Sequence, residues 1–281
     1  MTKLTDTFDI YNGVKIPKVA FGTWQIPASQ AKQAVSDAIK VGYRHIDTAL
    51  AYQNEKEVGQ AVRESGVKRE DIFVTSKLPG GTKTYDGALA DFETTMKNLD
   101  LDYLDLYLVH APWPWDEIGA NYDKENTEVW RAMEEIYNSG RVKAIGVSNF
   151  NVHDLENVLK TATIKPMVDQ IQYYIGFTEP KITEFAQNND ILVEAYSPLA
   201  TGGLINNPDV KKIADKYGVS VPQLAIEFVI QNGVLPLPKA VHEEHIVANT
   251  KLDFTISDED MKTLNEFPDT APSHFHNPTQ G

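Results

Sequence analysis

Cysteine is missing from all 281 residues, which removes disulfides, thiolate nucleophiles and Cys-ligated zinc or iron–sulfur centres together. Long apolar runs are missing too. None approaches the ~18 residues that span a bilayer, and residues 1–10 mix Lys, Asp and Thr without an apolar signal core. Positive charge is scarce: 26 Lys and Arg stand against 40 Asp and Glu, a net charge of −14. The long-range field of such a chain repels nucleic acid and anionic lipid, leaving room only for a local basic pocket around one phosphorylated ligand. Repeats and low-complexity tracts do not occur. What remains is 42% hydrophobic and 23% charged, enough for a large core. No linker-like stretch divides the chain, so residues 1–281 read as one domain. A cytoplasmic protein with no membrane or nucleic-acid partner is expected. Nothing in the sequence calls for an obligate interface, so a monomer is expected as well.

Along the chain, short β-branched and aromatic runs alternate with longer stretches of helical period. The runs are residues 18–22, 43–47, 72–77, 104–110, 142–147, 167–172, 191–196 and 233–236, the last crowded by Pro236 and Pro238. The stretches between them are residues 29–41, 55–64, 85–99, 127–138, 152–159, 180–187 and 221–231, where apolar residues recur at three and four. Ala31, Ala34, Val35 and Ala38, for example, fall on one helical face with Lys32 and Asp37 off it. Eight strands alternating with helices predict parallel βα units. A doubly wound open sheet is the competitor, but it advertises a G-x-G-x-x-G loop after its first strand, and Gly22-Thr23-Trp24 is not one. The expected fold is therefore α/β, a (β/α)8 TIM barrel. Residues 8–16, with Asn12-Gly13 in the middle, predict an N-terminal β-hairpin plugging its bottom. The segment from Phe267 onward, with Pro268, Pro272 and Pro278, predicts an irregular arm.

Polar residues fall at informative places. Asp47, Lys77, His110, Ser148-Asn149, Gln170, Tyr196 and Lys239 stand at the carboxyl ends of successive runs. In a barrel all such ends share one rim, so these positions converge on one mouth. Strand ends are polar anyway because they meet water, yet that explains poorly an Asp, a Lys and a His each capping an apolar strand. Tyr52, five residues after Asp47, completes a set that suits carbonyl reduction. Negative charge builds on the carbonyl oxygen, which then needs a proton. A phenol with its ordinary pKa of about 10 is a poor acid at neutral pH. An ammonium nearby lowers that value, a carboxylate keeps the ammonium charged and in place, and a histidine hydrogen-bonds the substrate oxygen.

These segments also carry a resemblance. Asp47-Thr48-Ala49-Leu50-Ala51-Tyr52-Gln53-Asn54-Glu55, Phe73-Val74-Thr75-Ser76-Lys77 and Leu106-Tyr107-Leu108-Val109-His110 resemble the aldo-keto reductase superfamily. So do Gly146-Val147-Ser148-Asn149-Phe150, Ala195-Tyr196-Ser197-Pro198-Leu199 and Leu237-Pro238-Lys239. The match runs in order from Gly22 to Asn249 and is most similar to the bacterial 2,5-diketogluconate and methylglyoxal reductases. It implies a TIM barrel that reduces aldehydes and ketones with NADPH, using a tetrad of Asp47, Tyr52, Lys77 and His110 with Tyr52 as proton donor. It implies that Ser148, Asn149 and Gln170 hold the nicotinamide carboxamide and that Tyr196 stacks on the ring. Gly22, Thr23, Trp24 and Asp47 would lie near the ribose and nicotinamide, and Ser197 and Leu199 at the pyrophosphate. Residues 201–204 would close over it, hinged at Gly202-Gly203.

The adenosine end departs from the family's Lys-Ser…Arg pattern. Lys239 is kept, but Ala240 replaces the serine and His245 the arginine, within a segment running through Val241 to Asn249. A largely neutral imidazole offers less charge to a 2′-phosphate than a guanidinium, and Glu243 and Glu244 add negative charge. NADPH is expected with a narrower margin over NADH. The substrate is expected among Trp24, Tyr52, His110, Trp113 and Trp115, with Phe275 of the carboxyl-terminal arm, although Trp113 and Trp115 would equally pack a proline-braced loop. Ala111 stands where the family often has an aromatic, which widens the pocket. A cofactor-binding regulatory subunit on the same fold and a barrel hydrolase or isomerase are the alternatives; the first does not require the tetrad, and the second gives Tyr52 with Lys77 no role. No metal is expected, since His242-Glu243-Glu244-His245 lacks H-E-x-x-H spacing and His274-Phe275-His276 lies in a proline-rich tail. His45, inside its strand, reads as a core histidine, and Ser257 as a helix N-cap.

Overall fold

The structure, a computed structural model, describes residues 4–270. Two short strands, β1 (Thr7–Asp9) and β2 (Lys15–Pro17), form the expected antiparallel hairpin. Its turn is closed by Gly13, whose φ of 85° suits a residue without a side chain, and by Val14 donating to the Asn12 side chain. Eight parallel strands follow, in spatial order equal to chain order: β3 (Phe21–Gly22), β4 (His45–Asp47), β5 (Phe73–Leu78), β6 (Leu106–Val109), β7 (Ile145–Ser148), β8 (Val168–Gln172), β9 (Leu192–Tyr196) and β10 (Leu235–Leu237). Ala20 N donates to Pro236 O and Gly22 N to Pro238 O, which joins β3 to β10 and closes the barrel. The prolines that made the eighth run look weak are compatible with this seam. Each lacks a donor but keeps its carbonyl, and the seam uses the carbonyls.

The helices are α1 (Ala28–Val41), α2 (Glu55–Glu64), α3 (Tyr85–Leu99), α4 (Asp123–Asn138), α5 (Val152–Leu159), α6 (Pro180–Asn188), α7 (Pro208–Lys216), α8 (Val221–Gln231), α9 (Glu243–Ala248) and α10 (Asp258–Asn265). Their starts are chemically marked. Asn151 and Gln223 take part in reciprocal capping boxes at α5 and α8, and Ser257 caps α10 as expected. The expected strands are trimmed at their ends because pairing there thins to single bridges, as between Leu104 and Val142. Helix α4 begins four residues earlier than its apolar period, and α7 was not expected at all. Asn207 caps α7 and Pro208 occupies its first turn, so the start signal was present ahead of a weak apolar face.

Apolar residues from both faces of the strands form one core, including Ile46, Val74, Leu108, Val147, Ile171 and Val193. Residues 267–270 follow an irregular path, as expected for the arm's start. Asp269 accepts from Tyr174 OH at 3.0 Å, and Thr270 donates to Ile175 O at 2.7 Å. This docking needs a glycine at 176, where φ is 92° and a Cβ would come within 2.4 Å of the Pro268 carbonyl oxygen. Pro272, His274, Phe275, His276 and Pro278 lie outside the described residues. Among those described, no helix is long and apolar enough to cross a membrane.

Candidate active site

Parallel strands put their carboxyl ends on one rim, and there a cavity of about 750 Å3 opens, a size usual for cofactor and small-molecule sites. Asp47, Tyr52 and His110 line one part of it, Ser148, Asn149 and Gln170 its flank, and Tyr196, Ser197, Leu199 and Lys239 its far end. Lys77 is fully buried beneath this surface. Its ammonium donates to Asp47 Oδ1 at 2.6 Å and to Thr48 O at 2.8 Å, and lies 3.5 Å from the Tyr52 hydroxyl. A phenol oxygen that receives an ammonium hydrogen keeps its own proton to give elsewhere, and the cavity is the open direction.

Burial alone would push the Lys77 ammonium down, yet Asp47 and Tyr52 outweigh it and hold the group above its ordinary value. The expectation for Tyr52 is corrected here. Burial raises the phenol more than Lys77 lowers it, so its net shift is upward and it stays protonated. His110 packs its ring edge against Tyr52, with centroids 5.5 Å apart. Burial, with Lys77 adding, pushes its imidazole down to about 3, so it is neutral at ordinary pH. Its Nδ1 has no partner among the described residues. The arrangement therefore offers a protonated phenol held by an ammonium, a neutral imidazole and a locked ion pair around one point, the equipment for protonating an oxygen that is gaining charge.

The flank is held by a second network. Asn149 donates through Nδ2 to His110 O at 2.9 Å, and its Oδ1 accepts from Tyr196 OH at 2.7 Å, which fixes the Tyr196 ring. Ser148 donates to Gln170 O at 2.7 Å. Gln170 Nε2 donates to Asp47 Oδ2 at 2.9 Å and to Glu194 Oε2 at 2.8 Å. Backbone strain concentrates here too: Gln25, Asn149, Ser197 and Thr201, all lining the cavity, have φ between 50° and 61°. Such conformations cost about 1–3 kcal/mol each and are held where surrounding structure dictates them. Gly202, at φ 94°, sits in the same loop, where a hinge was expected.

Several expected residues lie elsewhere. Thr23 is wholly buried, its hydroxyl donating to Asp47 O at 2.9 Å. Trp113 is buried and edge-packed on Trp115 at 5.2 Å, outside the described lining, whereas Trp115 lines the cavity and meets His110 edge-on at 5.7 Å. Gly22 and Trp24 are in the lining; Ala240, Val241, His245 and Asn249 follow Lys239 outside it, with His245 exposed on α9. His45 is a core histidine hydrogen-bonded to Thr75 Oγ1 at 2.9 Å. Glu194 was missed; its only signal was an acid inside an apolar run. Gln172, Ala51 and Ile205 were missed as well, and chain spacing alone does not pick them out.

A mouth built this way on a closed barrel defines a cofactor-dependent reductase site. The sequence pattern of the aldo/keto reductase family matches residues 18–269, and the chain belongs to that family. Glyoxal reductase of Bacillus subtilis is 42% identical over 265 residues, covering 94% of this chain and 93% of that protein. An aldo/keto reductase from Brucella melitensis superposes with a TM-score of 0.88 at 39% identity, covering 94% of this chain and 98% of that one. A Bombyx mori aldo-keto reductase solved in complex with NADP superposes at 0.85 with 32% identity, covering 93% and 92%.

Proposed function

We propose that this protein reduces small aldehydes and α-dicarbonyls to alcohols with NADPH, Tyr52 giving the proton. The observation that carries the reading is the Asp47–Lys77–Tyr52 chain ending at a cavity beside a neutral His110. Family membership and reductase relatives support carbonyl reduction, and an NADP-bound neighbour supports the cofactor. The residues fit that cofactor. Gln170 has spent both amide hydrogens inward and turns its carbonyl to the cavity, a suitable acceptor for a carboxamide. The Tyr196 ring is a fixed plane for stacking. Ser148 and Asn149 complete the carboxamide end, Ser197 and Leu199 the pyrophosphate, and Lys239 the phosphate-bearing end.

When bound, NADPH supplies the hydride. His110 holds the substrate carbonyl by hydrogen bond, which a neutral imidazole does without adding charge. As negative charge grows on that oxygen, Tyr52 transfers its proton, and the Lys77 ammonium stabilises the phenolate left behind. Asp47 keeps Lys77 charged and in place. Trp24 and Trp115, exposed at 43% and 41%, wall the reacting end and exclude water once substrate sits between them. The reading includes a cytoplasmic location, since its reductant is an intracellular cofactor, and a monomer.

Absorbance at the reduced-nicotinamide band tests this directly. With glyoxal, methylglyoxal, an aromatic aldehyde and a ketose, NADPH is consumed fastest with the dicarbonyls. Ala240 and His245 leave NADPH favoured over NADH by less than about a hundredfold. Absence of NADPH oxidation with all four carbonyls would overturn the reading.

A further inference from the structure

Glu194 is a buried acid hydrogen-bonded to the site that the mechanism above does not use. It is completely buried on β9, with Gln170 of β8 and Leu235 of β10 as its register partners. The charged groups that face it are Asp47 from β4 and Lys77 from β5. We propose that Glu194 is a positioning residue that, together with Asp47, dictates which end of the Gln170 amide meets the cofactor.

The argument runs through a single atom. Gln170 Nε2 is within hydrogen-bond distance of both Asp47 Oδ2, at 2.9 Å, and Glu194 Oε2, at 2.8 Å. Asp47 is ion-paired to Lys77, so it accepts only, and the atom it meets must be the donating nitrogen. With one amide hydrogen spent on Asp47, the second would be free to leave the amide poorly fixed. Glu194 takes it. The carbonyl oxygen of Gln170 is then the atom turned to the cavity, and a cofactor carboxamide meets an acceptor there.

Glu194 performs this as a neutral acid. Burial, and then the Asp47 charge, push its carboxyl up to about 8, against the weaker pull of Gln170 and Lys77. The buried ensemble of Asp47, Lys77 and Glu194 therefore carries no net charge at neutral pH. Its ionisation would place uncompensated negative charge behind Tyr52 and His110, opposing the charge that builds on the substrate oxygen. Reduction should slow as pH rises through about 8, well before Tyr52 loses its proton, since that phenol lies above its ordinary value.

This inference rests on Gln170 contacting the cofactor, and the test separates the two. NADPH binding is measured by fluorescence without substrate for wild type, Gln170→Leu, Glu194→Leu and Glu194→Gln, and the pH profile of kcat is taken for wild type and Glu194→Gln. Expected are weakening of about tenfold in Gln170→Leu and in Glu194→Leu, and recovery to within about twofold in Glu194→Gln, which still offers an acceptor. The limb near pH 8 disappears in Glu194→Gln. Glu194→Leu binding NADPH as wild type does while Gln170→Leu weakens it would overturn the inference alone. Normal binding by Gln170→Leu would overturn the Gln170 contact and the inference with it. A limb that survives unchanged in Glu194→Gln would overturn the charge argument, whatever the Leu variant does to folding.

Discussion

Asp, Lys and Tyr come together at both ends of the barrel. At the mouth, Lys77 is fully buried, bound to Asp47 at 2.6 Å and 3.5 Å from the Tyr52 hydroxyl. At the opposite end, Asp105 and Lys143 lie just before β6 and β7, paired at 3.0 Å, with the ammonium 4.2 Å from the centre of the Tyr103 ring. The residue types match and the physics does not. Lys143 is 42% exposed, so water screens its charge. Asp105 is saturated: it also accepts from Arg69 Nη1 at 2.9 Å and from Val74 N at 2.9 Å. Tyr103 shares its ring between two cations, Arg69 and Lys143. At the mouth the pair has no second cation among the described residues, and the neighbouring cavity admits a ligand. A site is thus made by where charge is left unscreened and where a cavity reaches it.

The sharpest way to break this comparison is to remove each lysine. Lys77→Met leaves Asp47 buried without its cation, which costs about 3–5 kcal/mol of stability, and lowers kcat by at least about 100-fold. Lys143→Met leaves Asp105 paired to Arg69 and should cost less than about 1 kcal/mol, with turnover unchanged. Denaturant unfolding and steady-state rates on the two variants decide it; equal losses would dissolve the distinction.

Protonation sharpens the comparison from another side, because here the two ends should behave alike. Burial pushes both His110, at the mouth, and His45, near the Pro17 carbonyl of the hairpin, down to about 3. Unfolded, each takes a proton near its ordinary pKa of about 6.5. Their contribution to stability therefore begins to fall as pH drops below that value and continues to fall toward 3. At pH 5 each histidine accounts for a loss on the order of 2 kcal/mol. Glu194, pushed up to about 8, gives the opposite slope over the same range, so the histidines are read by difference. In melting curves between pH 7.5 and 4.5, His45→Asn and His110→Asn should each lose stability less steeply on acidification than wild type, by the amount above; profiles parallel to wild type would mean the histidines titrate normally.

Much of this was legible in the sequence, for physical reasons. Asp47, Lys77, His110 and Gln170 interrupt or end apolar runs, and parallel strands of one barrel bring such ends together, so the rim could be read without coordinates. The hairpin was legible from Asn12-Gly13. Other features depend on three-dimensional surroundings. Trp113 and Trp115 are two residues apart in a loop with no period, so nothing local assigns one to the core and the other to the cavity. The direction of the Tyr52 shift depends on burial competing with Lys77, a balance that residue types do not contain. Glu194 looked like one acid in a strand until Gln170 was seen between it and Asp47. The helix α7 was hidden by a weak apolar face behind a clear start signal.

The most direct measurement is a single turnover with NADPH already bound, comparing wild type, Tyr52→Phe and Tyr103→Phe by rapid mixing with methylglyoxal. Loss of the Tyr52 hydroxyl should slow NADPH oxidation by roughly 10²–10⁴-fold while leaving NADPH affinity intact, and Tyr103→Phe should match wild type. Oxidation at the wild-type rate in Tyr52→Phe would contradict the claim that the proton comes from the phenol at the mouth.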